Sequence, residues 1–373
     1  MKKETTMGIK RLLLAIVALA VCFTAEAQQT TGEKIKSFAN EHLSLSGYLQ
    51  GGILWEENAD PETTFYLLRA RLSLTGNALE EKIDYRLQVD MANSPKICDL
   101  YFRYKPFNWL NLQLGQFKLP FSYENENCGP TTVEFIDYSY ITSFFTRNKG
   151  TYDGIDGATG RDIGFQIYGG FIEREGYSII NYNLGVFNGS GINKRDHNSS
   201  KDLIARLIIK PFKGFGITGS YMYAETNYDG NKYMKSPRWA AGLLYDSKHW
   251  VARAEYADAR FGNVDANSLY VIGGYKFEKP WAIYARYEFM NTSTNYVSNP
   301  GNLLYDPSVS TTLKTTDERI MVGGAYKPFK FLRLQFNLSY LMNSSSLSFA
   351  SYYNNEFNNT CRLGANLLVT AMF

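Results

Sequence analysis

The residues with most chemistry to offer in this chain are arginines set in a repeating phase. Arg69 and Arg71 flank Ala70, and Arg86 follows Asp84 across one tyrosine. Arg253 precedes Glu255, and Arg286 precedes Glu288, again with one intervening residue. Arg103, Arg206, Arg319, Arg333 and Arg362 hold the same polar phase of other segments, as do the acids Asp90, Asp99 and Asp317. A guanidinium stays charged and offers a planar fork of donors that grips carboxylate or phosphate oxygens in pairs. Ranged along a wall, such groups concentrate anions and select for them. The same arginines could instead be braces, each neutralised by the acid two residues away on its own face. The sequence leaves both readings open.

Other chemistry is sparse. The three histidines, His42, His197 and His249, do not share a strand face with a serine, so no Ser–His pair for nucleophilic catalysis is expected. Asp153-Gly154-Ile155-Asp156-Gly157 lacks the further ligands of a calcium loop, and Asp196, Asn198 and Asp202 could bind a hard cation, but both sets read first as ordinary turns. No enzyme, metal or cofactor is expected. Cys98, Cys128 and Cys361 form no CxxC pair and, being odd in number once residues 1–27 are set aside, leave at least one thiol unpaired.

What would position the arginines is a strand period. From Lys82 to Asp90 every even residue is polar and every odd one apolar, and Leu332 to Tyr340 repeats the pattern. Side chains alternate across a strand, so each such segment has one oily and one wet face. Aromatic residues make up 15% of the chain and mean hydropathy is −0.29, which suits strands and argues against apolar membrane helices. Sixteen alternating segments are expected, near 43–54, 63–75, 81–91, 97–105, 109–117, 161–172, 177–187, 202–210, 215–225, 237–245, 250–260, 268–277, 281–290, 317–326, 331–341 and 360–373. Short connectors alternate with long ones. Several short ones repeat a Lys-Pro-aromatic sequence, as at Lys105-Pro106-Phe107, Lys210-Pro211-Phe212, Lys279-Pro280-Trp281 and Lys327-Pro328-Phe329. Proline is excluded from a central ladder, and flanking aromatics suit a membrane interface.

These features predict an all-β fold: a transmembrane antiparallel β-barrel of sixteen strands over 43–373, with short periplasmic turns and long outer loops. Apolar residues would face outer-membrane lipid, and the opposite phase, with Asn111, Gln113, Asn181, Asn183, Gln335, Asn337 and Asn366, would line a polar lumen. A last strand ending on Phe373 suits recognition by a barrel-assembly machinery. The connector 118–160 far exceeds the usual loop length of roughly 4–6 residues. It carries Lys118, Glu124, Glu126, Glu134, Asp137, Arg147 and Lys149 and the pair Phe144-Phe145. Folding into the lumen would narrow the pore; an external loop is the alternative.

The N-terminus reads as processing signals. Lys2, Lys3, Lys10 and Arg11 precede the apolar run Leu12 to Phe23 and the small-x-small site Ala25-Glu26-Ala27, the layout of a secretory signal peptide over 1–27. Residues 28–42 read as a short periplasmic leader, too short for a plug domain. Residues 1–27 carry four basic and two acidic residues, so the remaining charge falls from +3 to +1. No nucleic-acid partner is expected at that balance.

Leu114-Gly115-Gln116-Phe117-Lys118-Leu119-Pro120-Phe121-Ser122, Gly160-Arg161-Asp162-Ile163-Gly164-Phe165-Gln166-Ile167-Tyr168-Gly169 and Gly185-Val186-Phe187-Asn188-Gly189-Ser190-Gly191-Ile192-Asn193 stand in a characteristic order. With Lys201 to Leu207 and Arg253 to Tyr256, they resemble the phosphate-selective porin O and P family over roughly 43–373. The resemblance implies a sixteen-stranded barrel, a homotrimer, and passage of small anionic solutes, phosphate or polyphosphate among them, along an Arg and Lys ladder. The function expected is a passive diffusion channel with anion preference through an Arg-lined lumen. A surface adhesin or receptor displaying the long loops is the alternative. Replacing Arg71 or Arg333 by alanine is expected to lower anion preference without unfolding the barrel.

Overall fold

The computed structural model describes residues 43–79, 81–146, 160–196, 198–227, 233–261, 264–278, 280–295, 312–343 and 363–373. The expected signal peptide over 1–27 and leader over 28–42, with His42, and Arg147, Lys149, residues 153–157, His197, Cys361 and Arg362 lie outside the described residues.

Eighteen strands follow in chain order: β1 (Leu43–Glu56), β2 (Thr63–Ala78), β3 (Ile83–Asp90), β4 (Lys96–Phe107), β5 (Leu110–Lys118), β6 (Arg161–Arg174), β7 (Tyr177–Phe187), β8 (Asp202–Phe212), β9 (Phe215–Tyr223), β10 (Glu225–Asn227), β11 (Tyr233–Lys235), β12 (Arg238–Asp246), β13 (Trp250–Phe261), β14 (Val264–Lys276), β15 (Trp281–Asn295), β16 (Thr312–Phe329), β17 (Leu332–Asn343) and β18 (Leu363–Met372). Sixteen of them form a closed antiparallel barrel in which β1 pairs with both β2 and β18. β10 and β11 form a separate hairpin that the alternation did not predict. β14 and β16 begin several residues earlier than expected. Their added turns, from Val264 and from Thr312, are polar at the outward positions Asp265, Asn267 and Thr316, so lipid-facing alternation does not mark them.

The barrel closes through backbone. Gly47 N–H donates to Phe373 O at 2.9 Å, and Phe373 N–H donates to Gly47 O at 3.0 Å. Closure satisfies every strand edge, as a membrane interior requires. The outward phase is apolar through the middle of the strands: Leu67 on β2 is 71% exposed, whereas Gln50 on the inner face of the neighbouring β1 is 1% exposed.

Three Lys-Pro-Phe turns sit on register shifts, between Tyr104 and Phe107, Ile209 and Phe212, and Tyr326 and Phe329. The ladder thus continues past each proline as an irregularity instead of stopping before it. Proline lacks the N–H that a regular pair would use. Across these turns Phe107 stacks on Trp109, Phe212 on Phe215 and Phe329 on Phe331 at 5.0–5.2 Å, forming the aromatic belt at the short-turn end.

Gly115 holds φ at +130°, and a Cβ there would lie 2.2 Å from the Leu100 carbonyl oxygen. The adjacent Gln116 and Phe117 are both buried, so the strand's alternation breaks here just before the long connector. Gly115→Val is therefore expected to cut the yield of folded, heat-modifiable barrel on a gel, while Gly273→Val, where a Cβ meets nothing within 4 Å, leaves it unchanged.

Candidate functional site

The connector after β5 is the first element of the site. Its described part, 119–146, holds a short helix, α1 (Tyr123–Asn127), and one π-helical turn, Ile141–Thr146. These residues bond to inner-wall side chains around most of the barrel. Ser122 Oγ and Tyr123 N–H donate to the Glu255 carboxylate at 2.9 and 3.0 Å. Tyr140 N–H donates to Glu288 at 3.0 Å, Arg286 donates to Asp137 O at 2.9 Å, and Arg238 donates to Phe145 O at 2.5 Å. On the far side Gln50 donates to Pro130 O at 3.0 Å, and Arg333 donates to Val133 O at 2.8 Å. The segment therefore lies across the barrel interior.

Apolar contact anchors it on one side. Phe121, Phe135, Tyr140, Ile141, Phe144 and Phe145 share one buried cluster with inner-wall Ala257, Phe261, Tyr270, Met290 and Met321. Each such aromatic contributes about 1.5–3 kcal/mol of burial. Arg253, Arg286 and Arg319 lie over the rings of Tyr123, Phe135 and Tyr140 at 4.9–5.4 Å. The expectation of a uniformly polar inner phase is corrected here. Across β12–β14 that phase carries Ala240, Ala257, Ala259, Val264, Ala266 and Ile272, all buried, because the inserted segment covers them and water does not. On β1–β7, β17 and β18 the inner phase is mainly polar, with Gln50, Gln88, Gln113, Gln166, Asn183, Gln335 and Asn337, and on the other strands polar residues such as Thr218, Ser220, Glu255 and Glu288 interrupt the apolar ones.

The arginines divide accordingly. Arg206 pairs with Glu126, and Arg253 pairs with Glu134 at 2.8 Å, both acids coming from the inserted segment. Arg286 and Arg319 share Glu288 at 3.1 and 2.5 Å, with both sides of the cluster essentially inaccessible to water. On the polar side Arg71 pairs with Asp90 at 2.8 Å. Asp99 serves both Arg86, at 3.5 Å, and Arg161, at 2.6 Å. Asp84 serves both Arg103, at 2.6 Å, and Lys105, at 2.9 Å. Lys118 does not face the open lumen but donates to the carbonyls of Asn125 and Cys128.

Of the same-strand pairs that the spacing suggested, Arg286–Glu288 forms. Asp84 reaches instead to the neighbouring β4, and Arg253 to the inserted segment. Residues directly across a strand pair approach within about 4.5–5.5 Å at Cβ, closer than second neighbours along one strand. Glu255 is held without an arginine by Ser122, Tyr123 and Tyr270.

Arg69 and Arg333, which share one inner row, have no carboxylate within ion-pair distance among the described residues. Arg69, Gln50, Thr370 and Arg333 are register partners in one row across β2, β1, β18 and β17. Arg69 donates to Gln50 Oε1 at 2.7 Å, and Gln50 Nε2 donates to Thr370 Oγ1 at 3.0 Å. Arg333 keeps its Nη1 buried with no hydrogen-bond partner. Sequence reasoning missed Arg161, Arg238, Gln50 and Thr370. The first two sit at strand starts, where alternation has barely begun, and the last two are uncharged. Arg238 and Thr370 share the phase of inward Ala240 and Leu368, which was the available signal for them, whereas Arg161 shares the phase of exposed Phe165 and gave none.

Cys98 and Cys128 are unpaired and buried. Burial within the inserted segment pushes the Cys128 thiol up to about 12, which leaves about one thiolate in ten thousand at pH 8. Folded protein with Cys361 replaced by serine is expected to resist a charged maleimide at pH 8. Ready labelling of Cys128 would mean that 119–146 leaves the interior.

A family model described as phosphate-selective porin O and P matches residues 55–247, and no curated protein matches the chain in sequence. Among solved structures, the chain is similar to the anion-selective porin of Comamonas acidovorans at TM-score 0.64 and 11% identity, covering 89% of this chain and 99% of that one. OprB of Pseudomonas putida gives TM-score 0.65 at 11% identity over 92% and 97% of the two chains. The trimer form of the outer-membrane protein OmpT of Vibrio cholerae gives 0.58 at 12% identity over 89% and 99%.

Proposed function

Because the chain belongs to the phosphate-selective porin O and P family, we propose that it is a passive outer-membrane channel for small hydrophilic solutes that favours anions. The solute path runs between the inserted segment and the polar wall of β17, β18 and β1–β7, with 119–146 as its constriction. The observation that carries the anion preference is the charge distribution on that wall. Asp84, Asp90 and Asp99 are shared among Arg71, Arg86, Arg103, Lys105 and Arg161, while Arg69 donates to the Gln50 amide oxygen and Arg333 to the Val133 carbonyl, with no carboxylate within ion-pair distance of either among the described residues. Cations in excess on a low-dielectric wall raise the local anion concentration. Phosphate suits the guanidinium fork as the preferred solute.

The channel works as a homotrimer, as the trimer form of OmpT does. It reaches the outer membrane after signal-peptide cleavage near Ala27, with the strand ending in Phe373 presented to the assembly machinery. Swelling of proteoliposomes tests the reading: small dianions should enter faster than cations of matched size. Equal entry would remove the anion preference, and no entry at all would favour a surface adhesin or receptor.

A further inference from the structure

The outer surface of the barrel is not an even apolar band. Gly273 pairs with Ala285, and Gly324 stands between Ile283 and Phe336, so β14, β15 and β16 bring their smallest outward residues together. The result is a groove of about 1000 Å³ walled by Tyr275, Trp281, Tyr326 and Phe336, at the upper end of the roughly 300–1,000 Å³ usual for ligand sites. Its floor is open, since a Cβ at Gly273 would meet nothing within 4 Å. One end lies at the short-turn belt, where Trp281 stacks on Tyr326 at 4.2 Å and His249 stacks on Tyr275 at 5.8 Å. Short turns face the periplasm. In the turn below, Lys327 and Lys330 are exposed, with no carboxylate within ion-pair distance among the described residues.

We propose that this groove seats the acyl chains of one glycerophospholipid of the periplasmic leaflet, its phosphate at the basic turn. Chain and headgroup have separate warrants. Apolar walls inside the lipid-facing band take hydrocarbon, and unneutralised lysines at the interface attract a phosphodiester. The site does not depend on which solute passes inside.

The test uses the full-length protein in bilayers doped with phosphatidylethanolamine bearing a diazirine on its acyl chain. After illumination, adducts on 271–285 and 320–326 should exceed those on the equally lipid-facing 100–114 by about tenfold. Native mass spectrometry should find one retained phosphatidylethanolamine per protomer, lost in Gly273→Phe and in Gly324→Leu. Even labelling around the barrel overturns the proposal. So does a groove that stays unlabelled while Gly273→Phe disperses the oligomer, which would place a second copy there.

Discussion

Replacing Arg69 and Arg333 together by glutamine is expected to abolish most of the anion preference and leave the barrel folded. Both side chains lie in one row with Gln50 and Thr370, and neither has a carboxylate that its removal would strand. Each guanidinium acts on a passing anion with on the order of 1 kcal/mol once solvent and salt screen it. Loss of two should change the anion-to-cation permeability ratio by about tenfold or more. Glutamine removes the charge and keeps a polar side chain with an N–H donor at each position. Arg71 makes the contrast. The sequence treated it as equivalent to Arg333, but it is paired with Asp90 at 2.8 Å, so Arg71→Ala exposes an unpaired carboxylate and trades a selectivity effect for a mixed one. An unchanged zero-current potential in the double variant, with folded barrel on the gel, would assign the preference to other charges.

The second large effect is expected at Glu288. Its carboxylate holds Arg286 and Arg319 and accepts Tyr140 N–H from the inserted segment. Glu288→Ala removes the carboxylate shared by two buried guanidiniums, and breaking a buried pair costs about 3–5 kcal/mol. The variant should unfold at markedly lower temperature. Where it still folds, 119–146 loses a tether and single-channel conductance should rise. Glu255→Gln is the milder comparison, since its partners Ser122, Tyr123 and Tyr270 donate hydrogen bonds that an amide oxygen can still accept. Wild-type melting in Glu288→Ala would show that the cluster does not hold the segment.

Fold and site were not equally legible in the sequence. Strand number and order were, because lipid on one side and a closed ladder on the other force a period of two on every spanning segment. The segment from Lys82 to Asp90 needs no neighbour to declare its two faces. The inner wall was less legible because inward positions have no single solvent. Ala257 and Met290 are inward yet apolar, since Phe135, Phe144 and Phe145 from a distant connector cover that side. Partners of individual arginines were least legible. Arg253 meets Glu134 from 119 positions away, and no local spacing encodes that. Phe144-Phe145 was visible as an aromatic pair in a long loop, but only three-dimensional closure of the barrel gives it something to bury against.

The most direct test of an anion path along the arginine-bearing wall is the zero-current potential of the purified protein in a planar bilayer under a KCl gradient, followed by addition of phosphate. The expected result is a potential of anion-selective sign, with chloride current reduced as phosphate occupies the row between Arg69 and Arg333. A potential near zero or of cation-selective sign, unmoved by phosphate, would contradict it and leave the arginines as braces neutralised by Asp84, Asp90, Asp99, Glu126, Glu134 and Glu288.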